Sequence, residues 1–202
     1  MDYNKILLSC IFLFLKCSAS PFYDFNAFDI STGEEVSMKK FIGKVLLIVN
    51  VASECGFTDD HYRELVDLQK TYDHSEFNVL AFPCNQFGKQ EPKKNKYIIK
   101  FAEQNYNVNF PMFSKVKTVG EHAHPIYKWL KQETMGTEPS WNFCKYLLNQ
   151  HGNVVRYASP STSPLTLQND IKKLLAFKEL KGGQLFYELE YDEENVDHHN
   201  EL

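Results

Sequence analysis

Val45-Leu46-Leu47-Ile48-Val49-Asn50-Val51-Ala52-Ser53-Glu54-Cys55-Gly56-Phe57-Thr58 is the stretch of this chain that decides its fold. Its first seven residues carry no charge and are almost all aliphatic, which is typical of a strand buried on both faces. A helical pattern follows, and Thr58 is a suitable N-cap residue. Cys55 therefore lies between a strand end and a helix start, where outward N–H groups and the helix dipole favour a reactive thiolate. A buried, inert structural cysteine is the alternative interpretation.

The rest of the chain alternates strands with helices. We expect strands over 22–30, 44–51, 77–82, 143–148 and 154–157, and helices over 58–72, 95–105, 125–132 and 164–180. The last two strands form a hairpin around residues 149–153. This order predicts one α/β domain over residues 20–181, with a central mixed β-sheet flanked by helices. The pattern is compatible with a thioredoxin-like fold, and another small α/β fold would give a similar one.

Both ends of the chain carry targeting patterns. Lys5 precedes the apolar run 6–15 and small residues follow it, so residues 1–19 are predicted to be a signal peptide cleaved after Ala19. An uncleaved membrane anchor is the alternative. The last four residues, 199–202, read His-Asn-Glu-Leu and resemble an endoplasmic reticulum retrieval signal. Together these ends predict the lumen of the endoplasmic reticulum, or secretion as the alternative.

Charge is unevenly distributed along the chain. The formal net charge is −4, and residues 182–202 contain seven acids and no Lys or Arg. We expect these residues to form an acidic, flexible tail, with a docking or calcium-buffering role as the alternative. No basic cluster indicates a nucleic-acid partner. The histidines 124, 151, 198 and 199 lack the spacing of metal ligands, so we predict no metal and no bound cofactor.

Three of the five cysteines, Cys55, Cys84 and Cys144, lie beyond the predicted signal peptide. Three cysteines do not make a disulfide scaffold, and an odd number leaves at least one thiol free or catalytic. Thr58 stands where a second cysteine would complete a Cys-x-x-Cys motif with Cys55, so a dithiol exchange centre of that kind is not expected.

Two further segments carry groups that suit thiol chemistry. The loop Pro83–Pro92 follows a buried strand and would lie beside Cys55 if the two strands run parallel. Gln90 in that loop has an amide that could donate to a sulfur anion or a peroxide oxygen. Trp141 and Asn142 add an indole donor and a second amide. A solvent-facing Gln90 and a core-packed Trp141 are the alternatives.

These segments resemble the glutathione peroxidase family. Residues 50–56, 82–87 and 141–143 are similar to three signatures of that family, in the same order, with cysteine where some members carry selenocysteine. The resemblance covers roughly residues 22–180 and implies a thioredoxin-like fold. It also implies that Cys55, Gln90, Trp141 and Asn142 form a catalytic tetrad, which reduces hydrogen peroxide and organic or lipid hydroperoxides through a cysteine sulfenic acid.

The resemblance leaves the reductant open. Thioredoxin-dependent members keep a resolving cysteine near positions 101–102, and this chain has none there. Cys84 is the best internal candidate and Cys144 the second, while glutathione or a protein thiol could attack directly. The glutathione-binding residues of family tetramers are not recognisable.

A short segment between Phe113 and Pro125 resembles that of the monomeric branch of the family. On this segment and its two ends, the chain resembles family members that reside in the endoplasmic reticulum and oxidise protein disulfide isomerases. The alternative is a peroxide sensor that binds such isomerases with little turnover on glutathione, and a non-catalytic homologue is a third reading.

Overall fold

The computed structural model describes residues 20–179 and 185–187. The predicted signal peptide lies outside these residues, as does the predicted acidic tail apart from residues 185–187. Within the described part of the chain, no helix is both long enough and apolar enough to cross a membrane.

A four-stranded mixed sheet forms the centre of the molecule. Short strands β1 (Asn26–Phe28) and β2 (Glu35–Ser37) pair with each other before it. The main sheet has the spatial order β4–β3–β5–β6, and β3 is parallel to β4 and antiparallel to β5. The predicted mixed sheet is therefore confirmed. Its strands are β3 (Val45–Val51), β4 (Phe77–Pro83), β5 (Lys145–Leu148) and β6 (Val154–Ala158).

Helices cover both faces of this sheet. They are α1 (Thr58–Thr71), α2 (Asn95–Tyr106), α3 (Pro125–Glu133) and α4 (Gln168–Ala176). Buried residues of α1, α2 and α4 share one apolar cluster with alternate residues of β3, whereas α3 and the N-terminal aromatic residues cover the other face. All residues of β3 and β4 are buried for this reason, which explains their continuous apolar sequence.

Two predicted elements differ from the structure. The strand expected over 22–30 begins instead as a 3₁₀ turn, Pro21–Asp24, because Pro21 fixes the backbone and Ser20 Oγ accepts the Phe22 N–H at 3.2 Å. The helix expected over 164–180 begins as a second 3₁₀ turn, Pro164–Leu167, and α4 ends at Ala176.

Two short strands follow α4. Strand β7 (Phe177–Glu179) pairs antiparallel with β8 (Leu185–Tyr187). Both segments contain aromatic residues, which are enriched in β-strands. Three residues of the predicted acidic tail therefore belong to a paired strand.

A buried lysine joins the sheet to α1 and to the loop after β6. The Lys145 Nζ lies 3.3 Å from His61 Nδ1 and also contacts the carbonyl oxygens of Pro160 and Thr162. Lys145 is fully buried, and its three donors match these three acceptors. Burial first, and then the charge of Lys145, lowers the pKa of His61 to about 3, so His61 is neutral in the folded protein at neutral pH.

The neutral His61 predicts a specific pH dependence of stability. Unfolded His61 takes up a proton below about pH 6.5, whereas the folded residue does so only near pH 3, so the unfolded state binds more protons in this window. Stability is therefore lost as the pH falls through the window, by up to about 1.4 kcal/mol per pH unit. His61→Gln keeps an acceptor for Lys145 without titrating, and we expect a shallower acid loss.

Urea unfolding at several pH values measures this effect. The exposed His122→Gln provides the matched control, and its profile should follow the wild type. Equal acid slopes for the wild type and His61→Gln would contradict the role assigned to His61.

Candidate active site

Cys55 lies in a tight turn between β3 and α1. Its side chain is half-buried and packs against the apolar cluster on the α1 face of the sheet. The Cys55 N–H donates to Thr58 Oγ1 at 3.0 Å, and the Thr58 hydroxyl donates to the Ala52 carbonyl at 2.8 Å. The predicted position of Cys55, between a strand end and a helix start, is confirmed. The expected N-cap is wrong, because Phe57 occupies the N-cap and the Thr58 hydroxyl folds the cysteine turn instead.

The Gln90 loop lies directly beside this turn. Since β3 and β4 run parallel and Val51 is opposite Pro83, both strands end at the same edge of the sheet. The Glu54 N–H donates to the Gln90 carbonyl at 3.0 Å, next to Cys55 in sequence. The prediction that parallel strands would bring this loop to the cysteine segment is therefore confirmed.

Trp141 and Asn142 reach the same edge from the other side of β3. The Asn50 Nδ2 donates to the Trp141 carbonyl at 2.9 Å, and the Phe143 N–H donates to the Asn50 carbonyl at 2.6 Å. Phe143 has a φ of 66°, an unusual conformation for a bulky residue, so β5 starts at Lys145 rather than at residue 143. Strained backbone of this kind persists where the surroundings fix it. Here it places Asn142 beneath the Gln90 loop.

An amide–amide hydrogen bond connects Asn142 with Gln90. Asn142 is fully buried, and its Nδ2 donates to Gln90 Oε1 at 2.8 Å. This bond uses the Gln90 side-chain oxygen Oε1, so Asn142 does not engage the two hydrogens on Gln90 Nε2. Trp141 is 38% exposed and packs on Phe87 with ring centroids 6.1 Å apart, so it is not a core residue.

The other two cysteines lie in the protein interior. Among the described residues, Cys55, Cys84 and Cys144 are all free thiols, and Cys84 and Cys144 are fully buried. The Cys84 Sγ lies 3.4 Å from Thr118 Oγ1. The Cys144 Sγ lies 3.3 Å from the Tyr157 hydroxyl. The structure thus groups Gln90, Trp141 and Asn142 around the Cys55 turn and gives the two buried thiols contacts of their own.

His124 is the N-cap residue of α3, at the helix start where the sequence places it. Within residues 20–179 and 185–187, no three His, Cys, Asp or Glu side chains lie close enough together to hold a metal ion.

Sequence reasoning missed Ser53, Gly88 and Glu91, although all three belong to the two segments that carry Cys55 and Gln90.

Gly88 is required by the packing of the Gln90 loop. Its φ is +61°, and a Cβ there would lie 3.3 Å from both the Gln90 side chain and the Trp141 ring. We expect Gly88→Ala to displace these two side chains and to slow the oxidation of Cys55 by hydrogen peroxide by about 10-fold or more. Stopped-flow measurement of the Cys55 oxidation rate tests this.

Gly120→Ala is the matched control for Gly88→Ala. Gly120 has a similar φ of +83°, but a Cβ there meets no atom within 4 Å. Gly120→Ala therefore introduces a similar backbone strain but no contact with a neighbouring side chain. Equal rates of Cys55 oxidation in the two variants would show that the close packing at Gly88 does not affect the reaction.

Comparison with known proteins places the chain in a family. The sequence model described as "Glutathione peroxidase" matches residues 22–131. Human "Glutathione peroxidase 7" is 53% identical over 154 residues, covering 76% of this chain and 81% of that protein. The crystal structure of Trgpx in its apo form is similar with a TM-score of 0.62 and 38% identity, over 78% of this chain and 97% of that one.

A more distant structure supports the fold alone. The thiol:disulfide interchange protein of the thioredoxin family from Chlorobium tepidum TLS has a TM-score of 0.58 at 14% identity, over 75% of this chain and 92% of that one. The predicted thioredoxin-like fold is thus confirmed. The matched family signature, the sequence identity and the structural similarity agree: the chain belongs to the glutathione peroxidase family, and it is a peroxidase of the oxidoreductase class.

Proposed function

We propose that this peroxidase reduces hydrogen peroxide and organic or lipid hydroperoxides through a sulfenic acid formed on Cys55. The observation that carries the assignment is the 2.8 Å bond from Asn142 Nδ2 to Gln90 Oε1, beside the turn that presents Cys55. It aims the remaining donors of Gln90 away from Asn142. Cys55 is half-exposed and Trp141 is exposed, so a peroxide can approach from solvent.

The reaction begins with attack of the Cys55 thiolate on one peroxide oxygen. An S–O bond forms and the O–O bond breaks, so that sulfur is oxidised by two electrons and the peroxide is reduced. The second oxygen takes up a proton and leaves as water or an alcohol. The Gln90 amide and the Trp141 indole supply fixed donors for the charge that develops on oxygen, and Asn142 orients Gln90.

A second thiol must then condense with the sulfenic acid, and Cys84 is our candidate. A disulfide between them would require the Cα atoms of Cys55 and Cys84 to lie about 4.4–6.8 Å apart. Cys84 is held in the interior by Thr118, and the Gln86 Oε1 lies 3.6 Å from its sulfur and accepts the Thr118 N–H at 2.6 Å. These contacts must open before Cys84 can reach Cys55. Water leaves when the Cys55–Cys84 bond forms, and a protein disulfide isomerase or glutathione then reduces it.

The buried state of Cys84 favours one alternative function. If the contacts with Thr118 and Gln86 open slowly, the Cys55 sulfenic acid lives long enough to meet a partner thiol directly. The protein would then act as a peroxide sensor or oxidant donor that binds protein disulfide isomerases, with little turnover on glutathione. A one-cysteine enzyme reduced by glutathione is the remaining outcome.

The ends of the chain and the short segment before α3 support the cellular setting. A leader at residues 1–19 and the His-Asn-Glu-Leu ending fit a monomeric protein of the endoplasmic reticulum lumen, or a secreted one. This setting contains the disulfide isomerases that would accept the oxidation.

Single-turnover oxidation tests the proposal. Purified protein receives one equivalent of hydrogen peroxide, and mass mapping then locates the oxidised thiols in the wild type and in Cys84→Ser. We expect a Cys55–Cys84 disulfide in the wild type and a Cys55 sulfenic acid in the variant. Cys144→Ser is the matched control, since it removes the other buried thiol, and should still form the disulfide.

Other outcomes of this experiment distinguish the two-cysteine mechanism, reduction by an external thiol and the sensor function. A sulfenic acid on Cys55 that persists in the wild type would exclude Cys84 and leave an external thiol as the reductant. Faster oxidation of an isomerase than of glutathione would then favour the sensor. An unreactive Cys55 would overturn the proposed function altogether.

A further inference from the structure

A buried carboxyl group lies next to Gln90 and takes no part in the mechanism described so far. Glu91 is fully buried, and its two carboxyl oxygens lie 2.8 and 3.0 Å from the Ser53 Oγ. Ser53 precedes Cys55 by two residues. The Glu91 carboxyl thus binds the hydroxyl of a residue in the cysteine turn.

Neighbouring residues of the two active-site segments are therefore joined twice. The Glu54 N–H donates to the Gln90 carbonyl at 3.0 Å, and Ser53 donates to the Glu91 carboxyl. Two successive links between residues 53–54 and residues 90–91 fix the separation and the twist of these segments. Cys55 follows the linked residue Glu54 directly, and Gln90 is itself one of the linked residues. Their relative position depends on both links.

The backbone of Glu91 is anchored from the opposite side. Its N–H donates to Asn85 Oδ1 at 2.9 Å, and its carbonyl accepts from Lys115 Nζ at 2.9 Å. The same Lys115 Nζ also donates to the Lys93 carbonyl at 2.7 Å. With its main chain fixed in this way, the Glu91 side chain acts as a rigid support for Ser53 rather than a flexible one.

Burial and the surrounding charges together place the pKa of Glu91 near neutral pH. Burial raises the pKa of Glu91 to about 7, opposed by the Ser53 hydrogen bonds and by the Lys115 charge. The Glu54 carboxylate raises the same pKa further, and the buried phenol of Tyr62 on α1 lies within range of its charge. An ionised carboxyl is a strong acceptor for the Ser53 hydroxyl, whereas a protonated one is a poorer acceptor.

We propose that Glu91 is a positioning residue for the peroxidase reaction: its ionised carboxylate holds Ser53 and thereby sets Cys55 against the Gln90 amide, and protonation of Glu91 loosens this arrangement. The inference rests on the proposed function of Cys55 and Gln90. It assigns to a residue outside the tetrad the control of how reactivity changes with pH.

The test is the rate constant for Cys55 oxidation by hydrogen peroxide, measured by stopped flow between about pH 5.5 and 8.5. The wild-type rate should rise in a step as Glu91 ionises. Glu91→Gln should lose the Glu91 step and react about 10-fold more slowly than the wild type at pH 8. The exposed Glu103→Gln on α2 is the matched control and should keep the Glu91 step.

Ser53→Ala gives a second, independent readout. The Ser53 hydroxyl hydrogen bond lowers the pKa of Glu91, so removing it should move the Glu91 step to higher pH. A merely structural Ser53 would slow the reaction without moving the step. This variant decides the question if Glu91→Gln fails to fold, as judged by circular dichroism and urea unfolding.

The outcomes separate this inference from the function on which it rests. A wild-type Cys55 that does not react with peroxide would overturn the proposed function. A reactive wild type that shows no step with pH, or whose step persists in Glu91→Gln or does not move in Ser53→Ala, would overturn the role of Glu91 alone. Loss of the step in the first variant and its shift in the second would support it.

Discussion

The pairing of β3 with its two neighbours is the constraint on which the rest of this structure depends. Parallel pairing with β4 and antiparallel pairing with β5 bring the end of β3, the end of β4 and the start of β5 to one edge of the sheet. Cys55, the Gln90 loop and the segment of Trp141 and Asn142 follow or precede these strands directly. The proposed active site is thus assembled by strand register, and side-chain hydrogen bonds only refine it.

Burial on both faces is what makes this register rigid. A slip of one residue would exchange the two apolar sets of β3 between the faces covered by α1 and α3, so each side chain would meet packing partners that do not fit it. At the edge, where the strands end, hydrogen bonds join the segments: Asn50 bonds both the Trp141 carbonyl and the Phe143 N–H, while Thr58 closes the cysteine turn. A rigid sheet and these bonds between segments together pre-organise the donors, which is the condition for electrostatic catalysis.

Sequence reasoning succeeded where one local rule was decisive. The uncharged run 45–51 could only be a buried strand, and Pro125 marked the start of α3. It failed where tertiary contacts decide. The Thr58 hydroxyl serves the Cys55 turn rather than the helix, and Phe22 packs into the core from a 3₁₀ turn instead of a strand. The link between Ser53 and Glu91 joins residues 38 apart, so no local pattern could reveal it.

The central claim is that Asn142 acts through Gln90, and a double-mutant cycle tests it most directly. The rates of Cys55 oxidation by hydrogen peroxide are measured for the wild type, Gln90→Ala, Asn142→Ala and the double variant. Residues that act as a unit give non-additive effects. The account predicts that Asn142→Ala slows the wild type but adds little in the Gln90→Ala background. Additive effects would mean that the two residues act independently, which would contradict it.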